Sequence, residues 1–207
     1  MRNAATAIIL AGGASRRMGQ DKSALQLGDG PLLEHVLAPV SRLCEEVVIA
    51  AADRPHRRLG GVSPVWVTDP PGATGPLAGL AAGLAAASHP TTIVVACDMP
   101  FLSENLLQHL LDLAQDCDAV VPLAGGLAQP IHAAYARGCL PAVEALLRLG
   151  ARSMRELLPR LRVKYLGEQR CAELDPEGLS CFNMNTTGDL RLARDYWASR
   201  QTRVVAA

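Results

Sequence analysis

Thr6-Ala7-Ile8-Ile9-Leu10-Ala11-Gly12-Gly13-Ala14-Ser15-Arg16-Arg17-Met18-Gly19-Gln20-Asp21-Lys22 is the stretch on which the fold turns. A short apolar run that stops at a glycine pair has the length of a strand, and a strand without polar alternation belongs in a sheet covered on both faces. The loop after it has the chemistry of a phosphate cradle. Gly12 and Gly13 let backbone N–H groups turn toward an anion with no Cβ in the way, and Arg17 and Lys22 bring cations to the same place. Lys22 stands out further because the chain carries 20 Lys plus Arg, of which only Lys22 and Lys164 are lysines. The loop has neither the GxGxxG spacing of a dinucleotide site nor the spacing of a Walker A loop.

Working outward, apolar runs at 46–51, 64–68, 91–97 and 118–123 repeat the strand pattern. Segments of helical period at 32–44, 76–87 and 103–115 lie between them, with Ser103 placed to cap the last. Further on, the pattern predicts a strand at 131–135, helices at 140–149 and 153–161, a strand at 162–166 and a closing helix at 187–199. Ser153 and Glu156 have capping-box spacing. Such alternation predicts an α/β fold, a mostly parallel, Rossmann-like twisted sheet with helices on both sides in three layers. Gly79, Ala82 and Gly83 are small enough to seat the 76–87 helix close against it. With no repeat and no long linker, residues 1–207 are expected to form a single domain.

In open α/β sheets ligands bind beyond the carboxyl ends of the strands, and three such ends carry chemistry. The first is the cradle. The third strand ends at Asp69, whose carboxylate can accept from a base or a ribose, and Gly75 in the following Pro70-Pro71-Gly72-Ala73-Thr74-Gly75-Pro76 loop lets a flat base approach the backbone. The fourth ends at Asp98, a hard oxygen ligand suited to a magnesium ion shared with substrate phosphates. His132, beside Gln129-Pro130-Ile131, lies near the same cleft and reads as structural. Near the C-terminus, Asn183 and Asn185 alternate on one side of an extended segment, where their amides can meet a polar heterocycle or a phosphate.

Composition excludes several classes. Twenty basic residues against 20 acidic ones give a formal net charge of zero, so neither nucleic acid nor an anionic membrane has a cationic surface to bind. No apolar run approaches the ~18 to 20 residues of a membrane span, and the N-terminal run is too short for a secretory signal, so the protein is expected to be cytoplasmic. Six cysteines, Cys44, Cys97, Cys117, Cys139, Cys171 and Cys181, form no CxxC pair and read as reduced core thiols.

Taken together, Leu10-Ala11-Gly12-Gly13-x-x-x-Arg17-Met18-Gly19-x-Asp21-Lys22, Gly75-Pro76-Leu77-Ala78-Gly79, Cys97-Asp98-Met99-Pro100 and Asn183-x-Asn185-Thr186 resemble, in order and spacing, the molybdenum cofactor guanylyltransferases (MobA type) of the nucleotidyltransferase superfamily. LAGG in place of LAAG, with the paired asparagines, favours the guanylyl branch over the cytidylyl one. The resemblance implies a nucleotide-diphospho-sugar transferase type of fold, with a nucleotide-binding half at about 1–100 and an acceptor-binding half at about 101–200. It implies GTP and molybdopterin as small-molecule substrates, Mg²⁺, and transient contact with other proteins of molybdenum cofactor biosynthesis. Leu10, Ala11, Gly12 and Gly13 would contact GTP, Lys22 its phosphates with Arg17 beside it, Asp69 and Gly75 the nucleoside, and Asp98 both GTP and the metal. Asn183 and Asn185 would face the pterin. Two departures are visible: Val47-Val48-Ile49-Ala50-Ala51-Ala52-Asp53 lacks the asparagine with which relatives end this strand, leaving Asp53 as its substitute, and Thr187 replaces a usual proline. CTP as donor, a sugar or polyol phosphate as acceptor, and a nucleotide-binding regulatory subunit without turnover remain open alternatives. A dehydrogenase-like domain is disfavoured by the missing fingerprint.

Overall fold

The computed structural model describes residues 2–12, 25–51, 59 and 61–205, with side chains as far as residue 200. Gly13, Arg17, Lys22 and Asp53 therefore lie outside the described residues. In chain order the elements are β1 (Asn3–Leu10), β2 (Gln26–Leu27), β3 (Gly30–Pro31), α1 (Leu32–Leu43), β4 (Cys44–Ala50), β5 (Val65–Val67), α2 (Pro76–Ala86), β6 (Thr91–Ala96), α3 (Glu104–Leu113), β7 (Ala119–Ala124), β8 (Leu127–Ala128), β9 (Ala133–Ala136), α4 (Leu140–Arg148), β10 (Val163–Leu166), α5 (Glu168–Leu174) and α6 (Thr187–Val205). The main sheet runs β10-β7-β9-β6-β1-β4-β5, with β8 paired to β7. β1 pairs in parallel with both β4 and β6, and the β4–β5 and β7–β10 pairs are parallel as well. β9 runs antiparallel to β6 and β7, a direction that apolar patterning does not report.

The apolar strands divide their side chains between two cores with a period of two. Ala5, Ala7 and Ile9 of β1 pack with Val36, Leu37 and Val40 of α1 and Leu106, Leu107 and Leu110 of α3. Ile8 and Leu10 point the other way, onto Leu77, Leu80 and Leu84 of α2 and Val143 and Leu146 of α4. Each fully buried Leu or Ile contributes about 1.5–3 kcal/mol, so β1 cannot change register without exchanging one core for the other. α2 lies close to the sheet, as its small residues predict. An atom added as Cβ at Gly79 would stand 3.0 Å from Leu10 Cδ2, and one at Gly83 would collide with Ile8.

Ser103 caps α3 by accepting from Leu106 N at 3.3 Å. The capping box of Ser153 and Glu156 is present, but the helix expected at 153–161 is two short 3₁₀ turns, Met154–Glu156 and Leu158–Arg160. Pro159 has no N–H to donate back to residue 155, which breaks an α-helix there. The strand expected at 131–135 begins at Ala133, because 129–132 form a turn closed by His132 N donating to Gln129 O at 3.0 Å. The β2–β3 hairpin, β8 and α5 have no counterpart in the sequence pattern. The hairpin packs under α6, where Leu27, Leu32, Phe101, Met184 and Ala193 form a third buried cluster. Gly28, at φ +60°, leaves room for the Trp197 ring, which meets His35 edge-on at 4.4 Å. Among the described residues no helix is long and apolar enough to cross a membrane, and the six cysteines are free thiols, with Cys44, Cys97 and Cys139 buried.

Candidate active site at the carboxyl edge of the sheet

β1, β4, β5 and β6 end side by side. Ala11 N donates to Ala50 O at 2.8 Å, Ala51 N to Val67 O at 3.0 Å and Cys97 N to Leu10 O at 3.0 Å, so the sheet's hydrogen bonding continues one residue past each strand end. The N–H of Ala11 is thereby engaged in the sheet. A Cβ at Gly12 would lie 3.7 Å from Ala50 O and 4.0 Å from Asp69 Oδ1, while one at Gly79 would lie 3.8 Å from the same carboxylate oxygen. Asp69 is thus seated between the end of β1 and the first turns of α2. Partial burial raises its carboxyl from the ordinary value, because the charged form is desolvated.

Gly75, the N-cap of α2, has φ +91°, and a Cβ there would stand 3.1 Å from Arg152 O. That carbonyl also accepts from Leu77 N at 3.3 Å. The glycine is therefore required by a left-handed backbone and by the loop at 150–153 resting on it, which is a different cause from a base stacked on the backbone.

A cavity of about 350 Å³ opens beside this turn, lined by Pro76, Met99, Gln129–Ile131, Arg152–Arg155 and Asn183 among others. Asp98 immediately precedes Met99, and its backbone carbonyl accepts from Met184 N at 3.0 Å, which brings the Asn183 segment onto the end of β6. Asn183 donates through Nδ2 to Cys181 O at 3.0 Å. Asn185 is exposed and lies outside the cavity lining; its N–H donates to Asp189 Oδ2 at 2.8 Å. Asp189 also accepts from Thr186 N at 2.7 Å and returns its own N–H to Thr186 Oγ1 at 3.1 Å, a reciprocal cap that starts α6 without the missing proline. Gly12, Asp69, Gly75, Asp98 and Asn183 thus share one edge of the sheet. Arg152 and Arg155, the cations at the cavity, carry no motif spacing; only the tertiary fold brings them to it.

His132 is fully buried, and its Nε2 lies 3.0 Å from Ser180 Oγ. Burial pushes the imidazole down to about 4, so it is neutral at pH 7. Among the described residues no group of three or more His, Cys, Asp and Glu side chains could hold a metal ion. Asp98 alone suits an ion that takes one or two protein carboxylates and otherwise keeps water and phosphate ligands.

An open, mostly parallel sheet with its polar residues gathered at the carboxyl edge is a nucleotide-binding architecture, and the comparisons with known proteins make it specific. Residues 7–165 match the model of the MobA-like NTP transferase domain. The chain belongs to that family, and it is a nucleotidyltransferase of molybdenum cofactor biosynthesis. It is 35% identical over 193 residues to the molybdenum cofactor guanylyltransferase of Desulfosudis oleivorans, covering 92% of this chain and 95% of that one. The structure of molybdopterin-guanine dinucleotide biosynthesis protein A from Archaeoglobus fulgidus superposes with a TM-score of 0.80 at 28% identity, covering 94% and 99% of the two chains. That of 2-C-methyl-D-erythritol 4-phosphate cytidylyltransferase from Thermus thermophilus gives 0.69 at 25% identity, covering 93% and 98%.

Proposed function

We propose that the enzyme transfers GMP from GTP to molybdopterin, forming the guanine dinucleotide and releasing pyrophosphate. The observation that carries this reading is the continuity of the carboxyl edge. A nucleotide place at Gly12 and Asp69 leads past the first turn of α2 into a cavity lined by Met99, which follows Asp98, and by Asn183 and two arginines. The residues up to about 100 supply the first part, and those beyond it most of the cavity wall, within one domain. Its size suits an acceptor of small-molecule dimensions.

In this reading an oxygen of the pterin's terminal phosphate attacks the α-phosphorus of GTP in line. A new P–O bond forms, the α–β bridging P–O bond breaks, and its electron pair leaves with pyrophosphate. The attacking group is already an anion, so the obstacle is repulsion between phosphates rather than proton transfer. Lys22, Arg17 and the backbone beyond Ala11 hold the triphosphate; Asp69 and Gly75 bound the nucleoside side. Asp98 would hold a magnesium ion, which when bound would offset phosphate charge. Arg152 and Arg155 attract the acceptor phosphate into the cavity, and Asn183 meets the pterin ring, with Asn185 at its outer margin.

Heat denaturation tests the donor. GTP at a hundredfold excess over Kd should stabilise the protein by about 2.7 kcal/mol, which is roughly 5 to 10 °C for a chain of this size, with CTP giving much less. Equal or greater protection by CTP would move the assignment to the cytidylyl branch, to which the structural likeness at TM-score 0.69 also extends. Pyrophosphate release only when molybdopterin accompanies GTP supports the acceptor. GTP binding with no release in its presence would identify a regulatory subunit.

A further inference from the structure

His132 is not itself one of the residues that line the cavity, yet it sits where three pieces of that lining are tied together. Ser180 Oγ lies 3.0 Å from His132 Nε2 and accepts from Ser103 N at 2.9 Å. His132 follows directly on the turn 129–131 that forms one wall of the cavity, Ser103 follows the Asp98-Met99 loop, and Ser180 precedes Asn183. His132 and Ser180 are both completely buried. Ser180 is held from its other side as well, its N–H donating to Asp175 Oδ2 at 2.8 Å.

We propose that His132 is a positioning residue of the acceptor cavity: through Ser180 it fixes the Asn183 segment and the Asp98 loop at the distance that the acceptor needs. The inference rests on the acceptor reading above for its kinetic consequence, though not for its structural one. Nothing else in the local geometry accounts for a histidine here. An apolar ring would fill the same volume without leaving Nδ1 buried and with no partner among the described residues, a cost that persists only where the other nitrogen's bond is needed. Electrostatics supports the same role, since a neutral imidazole at pH 7 can serve Ser180 as acceptor or donor without introducing a buried charge.

His132→Phe keeps the ring and removes the bond; Ser180→Ala removes the other partner with less disturbance to packing; His132→Gln restores a side-chain nitrogen able to reach Ser180. In the full chain, amide exchange should quicken at Met184, whose N–H is bound to Asp98 O, and at Ser103 in the first two variants. The β1 amides of Ile8 and Ile9 should stay as in the parent, and His132→Gln should recover part of the protection. Loss of one buried hydrogen bond corresponds to about tenfold, so KM for molybdopterin should rise by about that factor while KM for GTP stays within about twofold. The two single variants should not add, since both break the His132–Ser180 bond, Ser180→Ala also taking away the acceptor of the Ser103 N–H. Unchanged exchange at Met184 and Ser103 overturns the proposal. Faster exchange throughout the sheet overturns it as well, because His132 would then be a stability residue only. If the parent transfers nothing to molybdopterin, the functional reading fails on its own, and the exchange comparison still decides the positioning role.

Discussion

Replacing Asp98 by asparagine is expected to slow nucleotidyl transfer by about 10²–10³-fold, the usual cost of removing one electrostatic contributor in a closed site, with little loss of stability. The expectation divides because the side chain and the backbone of this residue do different things. The carbonyl of Asp98 accepts from Met184 N and so ties the Asn183 segment to the end of β6; asparagine leaves that bond in place. Cys97 and Met99 on either side are buried and keep the loop anchored. What disappears is one negative charge at the carboxyl end of β6, next to the cavity-lining Met99. If that charge holds the magnesium ion that accompanies the nucleotide, the variant needs more Mg²⁺ for half-maximal rate, and raising Mg²⁺ restores part of the loss. A metal titration superimposable on the parent's would remove Asp98 from that role. Loss of melting temperature in proportion to the loss of rate would return it to the category of fold residues.

How much of this could be read from the sequence follows from the range of each interaction. β1, β4 and β6 announce themselves because both of their faces are buried, which forbids polar alternation. The seating of α2 is legible in Gly79 and Gly83 because a helix with no side chain at those positions has something close beside it. The ends of the strands, and hence Asp69 and Asp98, follow from the same pattern. Interactions that depend on tertiary closure are not legible. Leu25-Gln26-Leu27-Gly28-Asp29-Gly30-Pro31 contains a two-residue turn signal in Gly28-Asp29, yet strands of two residues have no period to detect, and what stabilises the hairpin is Trp197, far away in the chain. Pro159 stands in the segment that the capping box opens, and in the structure each has its effect, a capped start and a broken continuation. α5 buries none of its residues and so has no apolar stripe. Arg152 and Arg155 reach the cavity only because the 150–153 loop rests on Gly75. His132 is apparent as a residue near the cleft, but its bond to Ser180 spans 48 residues, and no local pattern encodes that.

A large effect on stability is expected at Gly83, where two effects oppose each other. In a helix interior, Gly→Ala gains about 1 kcal/mol from propensity. Against it, a Cβ at Gly83 would collide with Ile8 Cγ2, with Ile8 Cδ1 and Cγ1 at 3.0 and 3.1 Å. Ile8 is β-branched, fully buried and central in the sheet between β4 and β6, so it cannot rotate away. Overpacking of this kind costs about 1–3 kcal/mol, so Gly83→Ala should be destabilising overall despite the better helix former. Gly83→Val should cost about 3 kcal/mol or more, since it adds two methyl groups beyond the Cβ at the same point. Gly79→Ala should be milder, because its nearest neighbour is the far end of Leu10, which can turn. Gly167→Ala, where a Cβ meets nothing within 4 Å, serves as the neutral reference in chemical denaturation. The consequence reaches function through α2 itself. Any outward shift of this helix carries Gly79 away from Asp69 and Gly75 away from Arg152, so the folded fraction of Gly83→Ala should also bind GTP more weakly. A variant more stable than the parent would mean that α2 is not seated on β1 as closely as the contacts at Gly79 and Gly83 require, and the path from the nucleotide to the cavity would have to run elsewhere.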